Sequence, residues 1–300
     1  SCGSSREKGE MSFWLCVPGS EQKTVLVTGG TGLVGRGIAQ ALRERHGEEA
    51  VETNEEPQNV DGERTFDRWF FSSSREADLR DKEQTRALFG RLKPTHVIHL
   101  AAKVGGLFYN MKNKVQMLRD NLAINDNVLA SSVEIQAKKV VSMLSTCIFP
   151  DKVDSYPFDE SVVHNGPPHP SNEGYAYAKR VLEIQGRLLN QEQSHSLFVS
   201  VVPTNVFGPF DNFQLEDAHV LPALIHKAHI AKLEDRPLLV LGSGKPLRQF
   251  IYSVDLGKLV IWALEEYTDV EQPLMLCTDP KDELSIGEVA QLIATAMEVK

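Results

Sequence analysis

Short runs of apolar and β-branched residues recur along this chain, and most are followed by a stretch in which apolar residues return every three or four positions. The first pattern is that of a buried strand, the second that of a helix packed on one face. Lys23–Thr28 is the first such run, and a helical pattern follows it through Leu42. Trp69–Ser72, Pro94–Ala102, Lys139–Ser145 and Leu197–Val202 read as further strands. Lys82–Leu92, Gln116–Ala137, Tyr175–Leu189 and Ser285–Met297 read as helices. This alternation predicts an α/β fold with a doubly wound parallel sheet, and shorter elements beyond Gly208 predict a smaller C-terminal lobe. On this pattern residues 1–22 are a disordered polar tail, 23–206 hold mainly the sheet and 207–300 mainly the lobe. The polar, acidic residues 48–68 read as a surface insertion.

The first strand runs directly into Gly29, Gly30, Thr31, Gly32, Leu33, Val34 and Gly35, and then into the first helix. Glycines let a backbone approach a pyrophosphate closely, and a helix N-terminus offers free amides and the positive end of its dipole. Strand, Gly-rich turn and helix together predict a dinucleotide site of the Rossmann type, here spaced GxxGxxG. The second strand ends in Ser72-Ser-Ser-Arg75, where a carboxylate would favour a ribose hydroxyl. Hydroxyls and the Arg75 cation suit a 2′-phosphate instead, so NADP(H) is the expected cofactor. Asp78 suits either an adenine amine or the cap of the helix that follows.

Catalytic chemistry is suggested by Tyr175 and Lys179, four residues apart on one helix face. A nearby ammonium stabilises a phenolate, which would lower the Tyr175 pKa and make it a proton donor and acceptor near neutrality. Ser145 and Cys147 fall just beyond a strand's carboxyl end, where such sheets gather their ligands. His219 precedes a segment carrying Lys227 and further basic residues.

A formal net charge of -9 argues against nucleic acid and against an anionic membrane surface as partners. Four scattered cysteines, Cys2, Cys16, Cys147 and Cys277, predict neither a disulfide framework nor a metal site, and they fit a reducing, cytoplasmic setting. No apolar run is long enough for a membrane span, and Phe13-Trp-Leu-Cys-Val17 is too short for a signal-peptide core.

Several longer stretches carry a resemblance: Gly29–Gly35, His99-Leu-Ala-Ala-Lys-Val-Gly-Gly106, Ser145-Thr-Cys-Ile-Phe-Pro150, Tyr175–Lys179, Pro203-Thr-Asn-Val-Phe-Gly-Pro209 and His219-Val-Leu-Pro222. In these the chain resembles the extended short-chain dehydrogenase/reductase family, in its branch that epimerises and reduces GDP-4-keto-6-deoxy-D-mannose. The resemblance implies Ser145, Tyr175 and Lys179 as a reductase triad, and Cys147 with His219 as the acid/base pair of an epimerisation. It also implies cofactor contacts from Pro203, Thr204, Asn205 and Val206, sugar-nucleotide contacts from Lys227 and Arg248, and a homodimer formed through helices near 116–137 and 175–193. Two positions depart from the family pattern: Leu241 stands for its Trp and Phe210 for its His. The family continues for several tens of residues beyond the position of Lys300, so the lobe is expected to be incomplete. Two alternatives stay open: another nucleotide-sugar epimerase or dehydratase, and a catalytically idle NADP-binding partner protein.

Overall fold

The structure, a computed structural model, describes residues 11–19, 21–57, 66–216 and 218–299. In chain order its first half comprises β1 (Phe13–Pro18), β2 (Thr24–Thr28), α1 (Leu33–His46), β3 (Val51–Thr53), β4 (Phe66–Phe71), α2 (Lys82–Leu92), β5 (His96–His99), α3 (Leu107–Lys112), α4 (Lys114–Glu134) and β6 (Lys139–Met143). Its second half comprises α5 (Glu173–Glu192), β7 (Leu197–Pro203), β8 (Asn205–Phe207), α6 (Val220–Leu233), β9 (Leu247–Arg248), β10 (Phe250–Tyr252), α7 (Ser253–Glu265), β11 (Leu274–Leu276), β12 (Leu284–Ser285) and α8 (Ile286–Met297).

Eight strands form one sheet in the order β11-β7-β6-β5-β2-β4-β1-β3. From β11 to β4 all neighbours are parallel, and the order reverses direction at β2, as double winding requires. One face packs on α1 and α7 through Ile38, Leu42, Leu256 and Val260. The other packs on α2, α4 and α5 through Leu88, Phe89, Val128, Leu129 and Leu182. Gly37 and Gly257 let α1 and α7 cross closely, since a Cβ on Gly257 would lie 2.7 Å from the Gly37 carbonyl carbon.

Three expectations are corrected. Residues 13–18 are not tail: β1 pairs antiparallel with β4 from Phe13 opposite Phe71 to Pro18 opposite Phe66, with Trp14 and Leu15 buried. Its apolar run is too short to stand alone in a polar context, and only the edge of β4, distant in sequence, gives it a surface to cover. With β1 and β3 antiparallel at one edge, the sheet is mostly parallel, in keeping with the doubly wound expectation, and residues 48–68 are partly built into it. β3 pairs antiparallel with β1 as the outermost strand, and β4 begins at Phe66, three residues before the predicted start; residues 58–65 of the predicted insertion, like 1–10, lie outside the described residues.

The third correction concerns the C-terminal third. Its α7 lies on α1, and β11 extends the main sheet, with Leu274 opposite Val201. Among the described residues α6, β9, β12 and α8 form the separate lobe, around Leu224, Val289 and Ala290, with Phe250 of β10 packed against it. Helix α8 starts in a capping box between Ser285 and Glu288. Among the described residues no helix is long and apolar enough to cross a membrane.

Candidate active site and cofactor cleft

The turn after β2 is shaped to receive a ligand's backbone-close approach. Gly29 has φ 66°, and a Cβ there would lie 3.0 Å from the Ala101 backbone. Gly30 sits under β4, its N–H donating to the Ser72 carbonyl at 2.8 Å, and a Cβ there would lie 2.6 Å from Phe71 Cα. Gly35 closes the turn against Gly30, so Thr31, Gly32 and the partly buried Leu33 and Val34 present the first turn of α1 outward. Gly32 caps that helix without a side-chain bond, leaving its first amides for a ligand. At the far side of the cleft, beyond β7, the buried Thr204 Oγ1 has no hydrogen-bond partner among the described residues. Pro203 ends β7, while Asn205 and Val206 lie in β8, where Asn205 Nδ2 donates to the Gln249 carbonyl at 2.8 Å. A glycine turn presenting free helix amides at one end and a buried Thr204 hydroxyl without a partner among the described residues at the other fit a dinucleotide laid across the strand ends.

The end of β4 differs from expectation in detail. Ser72 and Ser73 are buried and their hydroxyls turn inward, to the Val27 carbonyl at 3.3 Å and to the Ser12 hydroxyl at 3.2 Å. Arg75 is exposed beside them. A second cation that the sequence did not single out stands at this edge: the Arg36 guanidinium lies 4.7 Å from the Phe13 ring centre and 5.5 Å from that of Phe210. Asp78 binds Arg80 through bonds of 2.7–3.2 Å, which hold its carboxyl below the usual range. Its alternative role as a helix cap falls to Asp81, which accepts from the Gln84 amide at 3.0 Å.

Four predicted catalytic residues, Ser145, Cys147, Tyr175 and His219, line a single cleft of about 270 Å³ together with Val104, Gly105, Asn110 and Asn172. Ser145 follows β6 and caps the short turn that carries Cys147, its Oγ accepting from the Cys147 amide at 3.4 Å. Arg180 locks that turn to α5 by donating from Nε to the Ile148 carbonyl at 2.7 Å. Lys179 lies behind the cleft, 1% exposed, its Nζ donating to the Met143 carbonyl at 2.6 Å and standing 5.8 Å from the Tyr175 ring centre.

The electrostatics overturn one expectation. Burial raises the Tyr175 pKa, with the neighbouring Cys147 adding to the rise, so the ammonium does not bring the phenol toward neutrality in the free enzyme. Lys179 is itself buried, which lowers its pKa to about 8. Burial also raises the Cys147 thiol, against the opposing pull of Ser145, Lys179 and Arg180. The resting groups are therefore a neutral phenol and a neutral thiol, with the means to stabilise either anion placed beside them.

A buried polar chain, of which the sequence showed only the imidazole in an apolar run, braces this arrangement. His99 Nδ1 meets Thr28 Oγ1 at 2.9 Å, His99 Nε2 meets Asn125 Oδ1 at 3.1 Å, and Asn125 Nδ2 donates to the Ala178 carbonyl at 3.3 Å. Burial first, and the Lys179 charge second, lower the His99 pKa to about 3, so this link stays neutral.

The remaining predicted residues sit at the rim of this cleft or further out. His219 is exposed as the N-cap of α6, near Asp211, whose buried Oδ2 has no partner among the described residues and whose carboxyl is raised by burial. Lys227 is half-buried on α6, and Arg248 is exposed on β9 with Nη1 donating to the Leu247 carbonyl at 2.6 Å. Neither lines the catalytic cleft. Leu241 and Phe210 are both exposed, Phe210 at φ 71°. Among the described residues no group of three or more metal-ligating side chains occurs, and Cys16, Cys147 and Cys277 are free.

A strand–Gly-turn–helix unit and a Ser/Tyr/Lys set at the ends of one sheet agree with the outcome of a family comparison: residues 25–276 match the model described as the NAD dependent epimerase/dehydratase family. The chain belongs to that family. Within the NAD dependent epimerase/dehydratase family, it is 51% identical over 281 residues to GDP-L-fucose synthase of Dictyostelium discoideum, covering 94% of this chain and 82% of that protein. It is 49% identical over 281 residues to a probable GDP-L-fucose synthase of Drosophila melanogaster, covering 91% and 81% of the two chains. A crystal structure of a GDP-L-fucose synthetase from Naegleria fowleri bound to NADP superposes with a TM-score of 0.82 at 43% identity, over 95% of this chain and 80% of that one.

Proposed function

We propose that this chain is an enzyme that converts GDP-4-keto-6-deoxy-D-mannose to GDP-L-fucose with NADPH, by epimerisation at C3 and C5 and then reduction at C4. The observation that carries this reading is the meeting, in one cleft, of Ser145 and Tyr175 backed by Lys179 with Cys147 and His219. The first three form a carbonyl-reducing set, and the last two an independent acid/base pair. The similarity to GDP-L-fucose synthases supports the substrate, and the NADP-bound relative supports the cofactor.

A 4-keto group acidifies the protons on C3 and C5. Cys147 and His219 take such a proton from one face and return it on the other, while Tyr175 and Ser145 hold the enolate oxygen by hydrogen bonds. Bound NADPH supplies the hydride that reduces C4. Tyr175 then gives its proton to the C4 oxygen, and the Lys179 ammonium stabilises the phenolate left behind. In this reading Lys227 and Arg248 are the cations that hold the diphosphate. A homodimer fits the exposed apolar side chains Val115 on α4 and Tyr177 and Leu188 on α5.

The chain supplied with GDP-4-keto-6-deoxy-D-mannose is expected to oxidise one NADPH per sugar nucleotide and to release GDP-L-fucose. NADPH binding without turnover, or a requirement for NAD⁺ without net oxidation of added cofactor, overturns the reading.

A pH effect follows from Lys179. Its pKa is lowered from 10.5 to about 8 by burial, so the ammonium is present below that pH and lost above it. The kcat/KM for NADPH should therefore fall as pH rises through about 8, whereas an unperturbed lysine would hold activity to about pH 10. A Lys179→Arg variant, slower throughout, should lose this alkaline limb. Flat activity from pH 7 to about 10 in the parent would count against the assignment.

A further inference from the structure

Asn110 and Asn172 face the catalytic cleft but have no part in the chemistry described so far. They come from distant parts of the chain, Asn110 from α3 and Asn172 from the turn that leads into α5, one helical turn before Tyr175. Asn110 Nδ2 donates to Asn172 Oδ1 at 3.1 Å, and Asn110 is only 8% exposed. Its Oδ1 is buried and finds no donor among the described residues. Exchanging the amide's oxygen and nitrogen changes the unmatched atom but not the mismatch, because Asn172 can satisfy only one end of Asn110. A buried amide left half-satisfied carries a desolvation penalty that a bound ligand's hydroxyl would remove.

Gly105 lies against this amide and leaves it no side-chain neighbour on that side. A Cβ at that position would stand 3.2 Å from Asn110 Oδ1 and 2.5 Å from Tyr109 Cδ1. The pair thus offers an acceptor, Asn110 Oδ1, beside a donor, Asn172 Nδ2. A hydroxyl both donates and accepts, and is the group that matches this couple.

We propose that Asn110 and Asn172 bind the C3 hydroxyl of the keto-sugar, holding the ring between Cys147 and His219. This rests on the reading of the cleft as the site for a GDP-4-keto-6-deoxyhexose. Ser145 and Tyr175 hold the C4 oxygen, and Asn172 stands beside Tyr175, so the amide pair meets a neighbour of C4. Of the two neighbours, C5 bears a methyl group and the ring oxygen, neither of which can donate a hydrogen bond. C3 alone carries a hydroxyl. Anchoring that oxygen sets which face of C3 meets each acid/base group, so the pair serves as a substrate-binding and specificity determinant.

The test compares three substrates: the parent GDP-4-keto-6-deoxymannose, its 3-deoxy counterpart and its 2-deoxy counterpart. With the parent substrate, Asn110→Ala is expected to lose about ten- to a hundredfold in kcat/KM, chiefly through KM for the sugar nucleotide, with KM for NADPH unchanged. The unaltered enzyme should lose a similar factor on the 3-deoxy substrate, and Asn110→Ala should lose nothing further there. Asn172→Asp keeps the shape and the contact from Asn110 but removes the donor, and it should show the same selective loss in a fully folded protein. Equal proportional losses on parent and 3-deoxy substrates make the pair structural and overturn the proposal. So does a loss that disappears on the 2-deoxy substrate, or one that falls on KM for NADPH. Failure of the unaltered chain to turn over the parent substrate sinks the functional reading itself, which separates the two outcomes.

Discussion

Tyr175→Phe lowers NADPH-dependent turnover by about 10²–10⁴-fold while leaving the exchange of sugar protons with solvent measurable. The substitution removes one hydroxyl from a half-buried ring and keeps the ring that stands 5.8 Å from Lys179 Nζ, so the helix and its packing stay intact. What is lost is the proton that must reach the C4 oxygen as hydride arrives. Burial has already raised the Tyr175 pKa, so the phenol is fully protonated at neutral pH and ready to act as an acid. Its weak intrinsic acidity is overcome as negative charge develops on the substrate oxygen, with Lys179 able to stabilise the resulting phenolate. Epimerisation needs only hydrogen bonds to the enolate, which Ser145 still offers. Deuterium from solvent should therefore continue to enter C3 and C5 without NADPH, at a reduced rate. Turnover within tenfold of the parent would remove Tyr175 from the reaction.

Cys147→Ser gives the opposite separation. Solvent deuterium incorporation is expected to fall by about 10²–10⁴-fold, because a serine hydroxyl of nearly the same size is far weaker as an acid and its anion far harder to form. The thiol is already raised by burial, but Ser145, Lys179 and Arg180 each lower it in opposition, an arrangement suited to a group that must pass through its anion and return. His219→Gln should lose inversion at C3 and C5, since an epimerisation stalls when either face lacks its proton carrier, while deuterium exchange through Cys147 on its own face persists. Neither change touches the Tyr175–Lys179 contact, so reduction of a ketone that needs no epimerisation should persist in both. If exchange at C3 and C5 survives in Cys147→Ser, the base belongs to another residue.

The two experiments divide the cleft along its construction. The proposed reductase residues come from the turn after β6 and from α5, which packs on the sheet, where Lys179 is 1% exposed and the chain from Thr28 through His99 and Asn125 to Ala178 braces the helix. His219 instead stands at the start of a helix in the small lobe, exposed to solvent. On the proposed assignment, epimerisation depends on how the lobe meets the sheet, whereas reduction depends on the sheet itself. The Arg36 guanidinium between Phe13 and Phe210 ties these parts together at the cofactor turn, through a ring from β1 and a ring from the loop that leads to His219.

The sequence by itself determined the alternation of strands and helices, the glycine turn, and the pairing of Tyr175 with Lys179, while Cys147 and His219 entered as an acid/base pair only through the family resemblance. The alternation, the turn and the pairing are written in local spacing: a strand, its turn and its helix, or two side chains one helical turn apart, depend on contacts within a few residues. The tertiary structure alone decided that Phe13–Pro18 is a strand, because its buried partner is β4, far along the chain. It also decided that Lys227 and Arg248 stand apart from the catalytic lining, that α7 and β11 belong with the sheet, and that Asn110 and Asn172 meet across 62 residues. The directions of the pKa shifts belong to the same class. Spacing placed a cation near a phenol, but whether the phenol's acidity rises or falls depends on how much water the folded chain removes from both, and here desolvation prevails.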